Sequence, residues 1–239
     1  MHWILRWSSI VLLLVASPAV VGLASAESPT LVAHGESITE GYSLSDPAAE
    51  AYPALLQKAL NANGTSVSVI NAGNSGAGFA HAGFRGSTLS GEAASIVDTH
   101  AAPDAALILL AGSNDIFVGK TGAGAYGLFE AYISARLRAG WMPENIIICT
   151  ILPRERLSEP ERNIYNSSIV NGQSRYGYLL ARLDQDPNVG WWGSYENPTY
   201  YNRDRVHPNA VGHQVIERVI YPVLLSILPR LESAATRVR

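Results

Sequence analysis

The chain has 239 residues, a formal net charge of −3 and a single cysteine, Cys149. It carries no basic stripe, which argues against nucleic acid as a partner. One cysteine excludes a disulfide framework and a cysteine-based metal site, and the apolar run around Cys149 indicates a buried structural thiol.

The N-terminal segment has the pattern of a secretory signal peptide. A lone arginine precedes an apolar run that ends at Leu23, and small residues follow up to Ala26. A membrane anchor is the alternative, but Pro18 interrupts the run, which is short for a transmembrane span. We therefore predict a signal peptide over residues 1–26, cut after Ala26, and a protein that is secreted or periplasmic without a stable membrane anchor.

Residues 27–239 suit one α/β domain with a sizeable core. Strands are predicted at 31–33, 66–71, 105–111, 145–150 and 189–192. Helices alternate with them, at 47–60, 89–100, 126–139, 159–183 and 209–228. The fourth helix has an interruption near Gly172 as an alternative, and Pro229 stops the last one. This alternation implies a parallel sheet covered on both faces.

Small or polar residues follow each of the first three strands. Ser37 comes after the first strand, a Gly-rich loop over 72–86 after the second, and Asn114 after the third. In a parallel sheet these strand ends lie side by side at one edge, where open α/β folds place their chemistry. Ser37 is therefore a candidate nucleophile, although a Gly/Ser/Thr cluster after a strand is also an ordinary turn.

A serine nucleophile needs a base, and His207 is the strongest candidate among the histidines. Asp204 precedes it by three residues, so one turn can join the carboxylate to Nδ1 and leave Nε2 facing outward. The alternative is a solvent-exposed Asp/His pair that caps the last helix. His34 is either a second base or a space-filling residue near the site. No set of His, Asp or Glu residues has metal-ligand spacing.

Four segments resemble, in order, the sequence blocks of the SGNH (GDSL-type) hydrolases. They are Gly-Glu-Ser-Ile-Thr-Glu-Gly-Tyr at 35–42, Asn-Ala-Gly-Asn-Ser-Gly at 71–76, Gly-Ser-Asn-Asp at 112–115 and Asp-Arg-Val-His-Pro-Asn at 204–209. The resemblance covers essentially all of residues 27–239. It implies a flavodoxin-like three-layer α/β/α sandwich with a five-stranded parallel sheet, an esterase or lipase activity and no cofactor.

The resemblance also implies roles for individual residues. By position, Ser37 is the expected nucleophile, His207 the general base and Asp204 the carboxylate that orients the imidazole. Together they would form a catalytic triad that transfers an acyl group to water through an acyl-enzyme.

The expected oxyanion hole consists of the backbone N–H groups of Ser37 and Gly76 and the side-chain amide of Asn114. Gly73 is the less favoured alternative to Gly76, because the glycine of the family usually follows a serine. One residue departs from the family pattern: Glu36 stands where the family has Asp. Its carboxylate sits one methylene further out, so we expect its hydrogen bonds to the surrounding loops to be rearranged.

The substrate is less determined than the chemistry. A small or short-chain acyl ester is the first hypothesis, and a carbohydrate O-acetyl esterase of the acetyl-xylan type is the second, suggested by aromatic residues ahead of Asp204. These are Trp191, Trp192, Tyr195, Tyr200 and Tyr201. We favour the alternative that the two tryptophans are ordinary strand residues. A third hypothesis is a non-catalytic exported binding protein with the same fold.

Overall fold

The computed structural model describes residues 28–237, so the predicted signal peptide at 1–26 lies outside the described residues. The strands are β1 Thr30–Gly35, β2 Ser68–Gly73, β3 Ala105–Leu110, β4 Ile146–Cys149 and β5 Leu179–Ala181. They form one parallel five-stranded sheet in the order β2-β1-β3-β4-β5. The expected five-stranded parallel sheet is confirmed.

Helices flank this sheet as the expected sandwich requires. Over residues 28–237 they are α1 Ser37–Glu40, α2 Pro47–Glu50, α3 Tyr52–Ala62, α4 Leu89–Ile96, α5 Ser113–Phe117, α6 Gly122–Arg138, α7 Glu159–Tyr176 and α8 Ala210–Ala235. Helix α3 packs against α8, and α6 packs against α7.

Strands β3 and β4 form the centre of the core. Every residue of both strands is buried, including Cys149, whose thiol pKa is raised by burial. Strands buried on both faces read as continuous apolar runs, and this explains why both were predicted from the sequence.

The prediction for the fifth strand was wrong. Gly177 adopts φ +78° and ends α7, and the chain then enters β5 within the segment that was predicted to be helical. Residues 189–192 form turns rather than a strand, and Trp191 and Trp192 are 59% and 39% exposed. The two tryptophans are therefore surface residues and not part of the sheet.

The last helix is longer than predicted. Helix α8 continues past Pro229 to Ala235, and it also contains Pro222. By length and apolar composition it could cross a membrane, but Ile220, Leu224 and other side chains along it are buried in the core. Burial of that face accounts for its apolar character, and it outweighs the cost of two prolines inside the helix.

The sheet register positions the candidate site. Gly35 at the end of β1 is level with Gly73 at the end of β2 and with Leu110 at the end of β3. The three loops that follow these strands therefore leave the sheet side by side, as the sequence predicted.

Candidate active site

Ser37 lies at the first position of α1, directly after β1. Glu36 is the N-cap residue of this helix and Ser37 is largely buried. The turn needs a glycine at position 35, because a Cβ there would lie 2.3 Å from Thr39 Oγ1 and 2.4 Å from the Leu110 carbonyl oxygen. The close passage of strand and helix holds the Ser37 hydroxyl at the carboxyl edge of the sheet.

His207 and Asp204 lie beside Ser37. The His207 Nε2 atom is 2.9 Å from Ser37 Oγ, and its Nδ1 atom is 2.7 Å from Asp204 Oδ2. Asp204 Oδ1 also accepts the backbone N–H groups of Val206 and His207, at 2.9 and 3.0 Å. Partial burial would raise the pKa of Asp204, but the hydrogen bonds from His207 and from these N–H groups outweigh it and lower the pKa. The carboxylate is thus kept ionised beside the imidazole.

The backbone N–H groups of Ser37 and Gly76 are free to bind a substrate oxygen. Neither donates to a protein acceptor within residues 28–237. Ser37 begins a helix, where N–H groups have no intrahelical partner, and Gly76 adopts φ +78°, in the left-handed region that favours glycine. Gly73, the alternative donor, lies within β2 and donates its N–H to Asn71 Oδ1 at 3.0 Å, which favours Gly76.

The Asn114 side chain is held from both ends. Its Nδ2 donates to the Ala77 carbonyl oxygen at 2.9 Å, and its Oδ1 accepts a hydrogen bond from Arg154 Nη1 at 3.0 Å. An arginine only donates and a carbonyl only accepts, so these partners determine which end of the amide carries the N–H groups. The second N–H of Nδ2 has no partner in the described part of the chain.

Glu36 binds the loop that carries Asn114. Its Oε1 accepts the backbone N–H groups of Gly112 and Asn114, at 2.7 and 3.2 Å, and its Oε2 accepts the Ser113 hydroxyl at 2.6 Å. The pKa of Glu36 is raised, because burial outweighs the opposing effects of these donors and of the nearby charge of Arg154. The longer side chain thus connects the nucleophile loop directly to the Asn114 loop.

A second carboxylate of the same segment binds the loop that carries Gly76. Glu40 Oε2 accepts the Ser75 N–H at 2.9 Å and also the Ser75 hydroxyl, while Oε1 accepts from Arg85 at 3.0 Å. Asp115 binds the same loop at Phe79, whose N–H lies 2.8 Å from its carboxylate. The long loop at 72–86 is therefore held at several points.

The side chains of the candidate site line one open cavity of about 420 Å³. Its walls combine aromatic rings with charged groups. They consist of Ser37, Tyr42, Ser75, Gly76, Phe84, Asn114, Phe117, Arg154, Glu155, Arg156, Asp204, Val206 and His207. All five sequence-predicted site residues thus lie around the same space, which has room for a small organic molecule.

Other sequence candidates lie outside this cavity. His34 is fully buried, with Nδ1 2.6 Å from the Tyr132 hydroxyl and Nε2 3.2 Å from Glu92. Burial lowers its pKa against the opposing effect of Glu92, so His34 is a structural residue. His81, which lies in the loop after β2, is exposed and does not line the cavity either. Within residues 28–237, no group of three His, Cys, Asp or Glu side chains could hold a metal ion.

Two residues of the site were not found from the sequence. Arg154 lies in the loop after β4, and Glu40 is the last residue of α1. A charged residue shortly after a buried strand was the signal available for Arg154. Its contact with Asn114 is a tertiary contact between segments 40 residues apart, and no local pattern predicts such a contact.

Known proteins resemble this chain in both sequence and fold. The profile of the GDSL-like lipase/acylhydrolase family matches residues 33–215. The psychrotrophic esterase EstA from Pseudoalteromonas sp. is 16% identical with a TM-score of 0.65, over 84% of this chain and 100% of that one. A lipase/acylhydrolase from Enterococcus faecalis is 18% identical with a TM-score of 0.65, over 84% and 96%. The structure of TesA is 18% identical with a TM-score of 0.66, over 83% and 99%. No curated protein matches the chain. At these identities the structural likeness concerns the fold alone.

Proposed function

The chain belongs to the GDSL-like lipase/acylhydrolase family, whose members are hydrolases acting on esters, and on that premise we propose a specific reaction for it. The protein is an exported serine hydrolase that cleaves small or short-chain acyl esters through an acyl-enzyme. The observation that carries this proposal is the continuous chain of hydrogen bonds from Asp204 through His207 to Ser37. Asp204 Oδ2 lies 2.7 Å from His207 Nδ1, and His207 Nε2 lies 2.9 Å from Ser37 Oγ.

The geometry supports a two-step mechanism. Ser37 Oγ attacks the ester carbonyl carbon while His207 Nε2 accepts its proton. His207 then donates that proton to the leaving alcohol, and an acyl-enzyme remains on Ser37. Water then attacks this ester while His207 takes its proton, and His207 returns that proton to Ser37 Oγ as the acid is released. Asp204 holds the imidazole in the required tautomer throughout, because its carboxylate accepts a hydrogen bond from the Nδ1–H group.

The negative oxygen of each tetrahedral intermediate requires hydrogen-bond donors. The N–H groups of Ser37 and Gly76 and the free N–H of Asn114 Nδ2 meet this need, since all three residues border the cavity. Removing one donor of this kind lowers kcat by about 10²–10³-fold in a serine protease. The chemistry needs no cofactor.

The size and lining of the cavity favour a small substrate. Tyr42, Phe84 and Phe117 provide apolar contact for an acyl chain or a leaving group. The carbohydrate O-acetyl esterase remains the second candidate. None of the five aromatic residues that suggested it lines the cavity, so Tyr42, Phe84 and Phe117 are the rings available there to stack on a sugar. Export rests on the sequence of residues 1–26.

Hydrolysis of p-nitrophenyl esters tests the proposed function. The wild type should hydrolyse the acetate and butyrate faster than the decanoate. Replacing Ser37 by alanine should lower kcat on the order of 10⁶-fold, as loss of a serine nucleophile does elsewhere. Ser226, an exposed serine on α8, offers a matched control, and Ser226→Ala should leave kcat unchanged. Equal rates for wild type and Ser37→Ala would support the non-catalytic alternative.

Release of acetate from acetylated xylan separates the two enzyme hypotheses. A higher kcat/KM on acetylated xylan oligomers than on simple acetates would favour the carbohydrate esterase. No acetate release from the polysaccharide or its oligomers would remove it and leave the small-ester hydrolase.

A further inference from the structure

We propose that Arg154 is a positioning residue of the oxyanion hole, which fixes the Asn114 amide as a donor and offsets the negative charge of Glu36. This inference rests on the proposed function, because it concerns how the same site stabilises the intermediate. Three observations carry it: the hydrogen bonds of Asn114, the limited pairing of Arg154 and the position of Glu36.

The first observation is that Arg154 holds the amide in one orientation. Were the Asn114 amide flipped, its NH₂ group would face the Arg154 donor and its oxygen would face the Ala77 carbonyl. Both hydrogen bonds would be lost in a buried place, where each unsatisfied polar group costs about 1–3 kcal/mol. Arg154 and Ala77 together therefore keep Nδ2 as the donor, with one N–H left for substrate.

The second observation is that Arg154 lacks the partners of a structural arginine. Its side chain makes one hydrogen bond within residues 28–237, to Asn114, and its buried Nε–H has no partner there. The other two buried arginines in the described part of the chain are better satisfied. Arg136 binds Asp98 through two nitrogens, and Arg162 binds the backbone carbonyls of Ile151 and Gly190.

This difference has a functional meaning. Arg154 is only 7% exposed, and its guanidinium lies 4.4 Å from the centre of the Phe117 ring at the cavity wall. Burying a partly unsatisfied cation destabilises a protein. Such a cost is expected at a functional site, where local stability gives way to the requirements of the reaction. Within residues 28–237 the one hydrogen-bond partner of Arg154 is Asn114, the residue expected to bind the oxyanion.

The third observation is the negative charge next to the nucleophile. The Glu36 carboxylate is buried, precedes Ser37 in the chain and binds the backbone of the Asn114 loop. An isolated buried carboxylate there would repel the oxyanion as it forms. Arg154 binds the side chain of the same asparagine, and Arg154 and Glu36 line the same small cleft beside Ser37. The positive charge therefore offsets the negative one while the hydrogen bonds of both remain.

Substitution of Arg154 tests this role through kcat and KM. Arg154→Met keeps the apolar stem and removes the donor and the charge, so kcat should fall by about 10²-fold, within the range for a lost oxyanion donor. KM should stay within about threefold, because the interaction strengthens only with the intermediate. Arg154→Lys keeps the charge but loses the planar guanidinium, so its kcat should lie between those of the wild type and of Arg154→Met.

A double-mutant cycle with Asn114→Ala distinguishes positioning from a general structural effect. If Arg154 acts mainly through Asn114, Arg154→Met should cost far less in the Asn114→Ala background than in wild type, and the cost that remains there measures the uncompensated charge of Glu36. Losses that multiply would overturn the inference. So would a wild-type kcat in Arg154→Met. If the methionine variant does not fold, the same cycle with Arg154→Lys gives the answer.

Arg136→Met is the matched control. It removes an equally buried arginine outside the cavity, so it should lower Tm while leaving kcat per active site unchanged. Active sites are counted by titration with a phosphonate. A wild type no faster than Ser37→Ala would overturn the proposed function itself, whereas a normal wild type with an unaffected Arg154→Met would overturn only the role of Arg154.

Discussion

The two halves of the site are built in opposite ways. The relay half, Asp204 and His207, is a local unit in which one carboxylate accepts three hydrogen bonds from within four residues. It is partly open to solvent, with 39% of the Asp204 side chain exposed. The oxyanion half joins Glu36, Asn114 and Arg154, which are distant in sequence and buried. In the proposed mechanism, proton transfer therefore depends on a short motif, whereas charge stabilisation depends on the packing of the whole domain.

Substitutions in the relay half should abolish most of the activity and change the thermal stability of the protein little. His207→Ala should lower kcat on the order of 10⁶-fold because the base is lost. Asp204→Asn should lower it by about 10⁴-fold because the imidazole is then held in the wrong tautomer. Both side chains lie at the surface of the cleft, so Tm should change little. Steady-state kinetics and thermal unfolding of the same samples check both statements, and a large fall in Tm would contradict the comparison.

Substitutions in the oxyanion half should lower both the activity and the unfolding free energy of the protein. Glu36→Asp restores the residue type of the family, but the shorter carboxylate no longer reaches all of Gly112, Ser113 and Asn114 in this backbone. One buried donor left unpaired costs about 1–3 kcal/mol of unfolding free energy. The displaced Asn114 loop should lower kcat by roughly tenfold, since small misplacements in an active site are costly.

Glu50→Asp is the control for that substitution. Glu50 accepts hydrogen bonds from the backbone of Ser45 and Asp46 at the surface, so the same shortening should leave kcat unchanged. Urea unfolding and p-nitrophenyl acetate kinetics measure both effects. Unchanged kcat and stability in Glu36→Asp would mean that the carboxylate position does not matter to the loop.

Substitution of a carboxylate that lies outside both halves should lower the stability of the protein and leave its activity unchanged. Asp184 accepts hydrogen bonds from Arg182 and from the Thr150 hydroxyl at 2.8 to 2.9 Å. Burial raises its pKa, but these partners outweigh burial and lower it. A carboxyl whose pKa is lowered by folding stabilises the protein above its ordinary pKa, and this contribution is lost as pH falls through the folded-state value.

Asp184→Asn should therefore lower the unfolding free energy by about 1–3 kcal/mol at pH 7. The difference from wild type should shrink as the pH falls below about 3.9, the ordinary pKa of an aspartate. Urea titrations at pH 7 and pH 3 check this, and kcat at pH 7 should be unchanged. A difference that grows at low pH would contradict the assigned hydrogen bonds.

The same contrast between local and tertiary contacts explains what the sequence could predict. Strands β1, β3 and β4 were found because their apolar runs are continuous, and β2 because it is rich in β-branched residues. Asp204 and His207 were singled out as a candidate pair because their spacing is local. Strand β5 was missed because its three residues continue the apolar pattern of α7. The helix ends at Gly177, which adopts the left-handed conformation, whereas the sequence analysis placed a possible interruption at Gly172, inside the helix.

The remaining misses have the same physical origin. Pro229 did not end α8, because burial of the apolar face of that helix maintains it beyond the proline. Arg154 and Glu40 act on loops that are 35 to 40 residues away in sequence. Such contacts arise only once the sheet brings the loops together. The family blocks pointed to the candidate site, and the tertiary structure was needed to find the residues that support it.

Covalent labelling of Ser37 tests the central claim most directly. An aryl alkylphosphonate should react with the wild type and add one phosphonyl group, which mass spectrometry of the digested protein should locate on the peptide that contains Ser37. Labelling should be lost in Ser37→Ala and strongly slowed in His207→Ala, because the hydroxyl needs its base. An unlabelled wild type, or equal labelling of Ser37→Ala, would contradict the account.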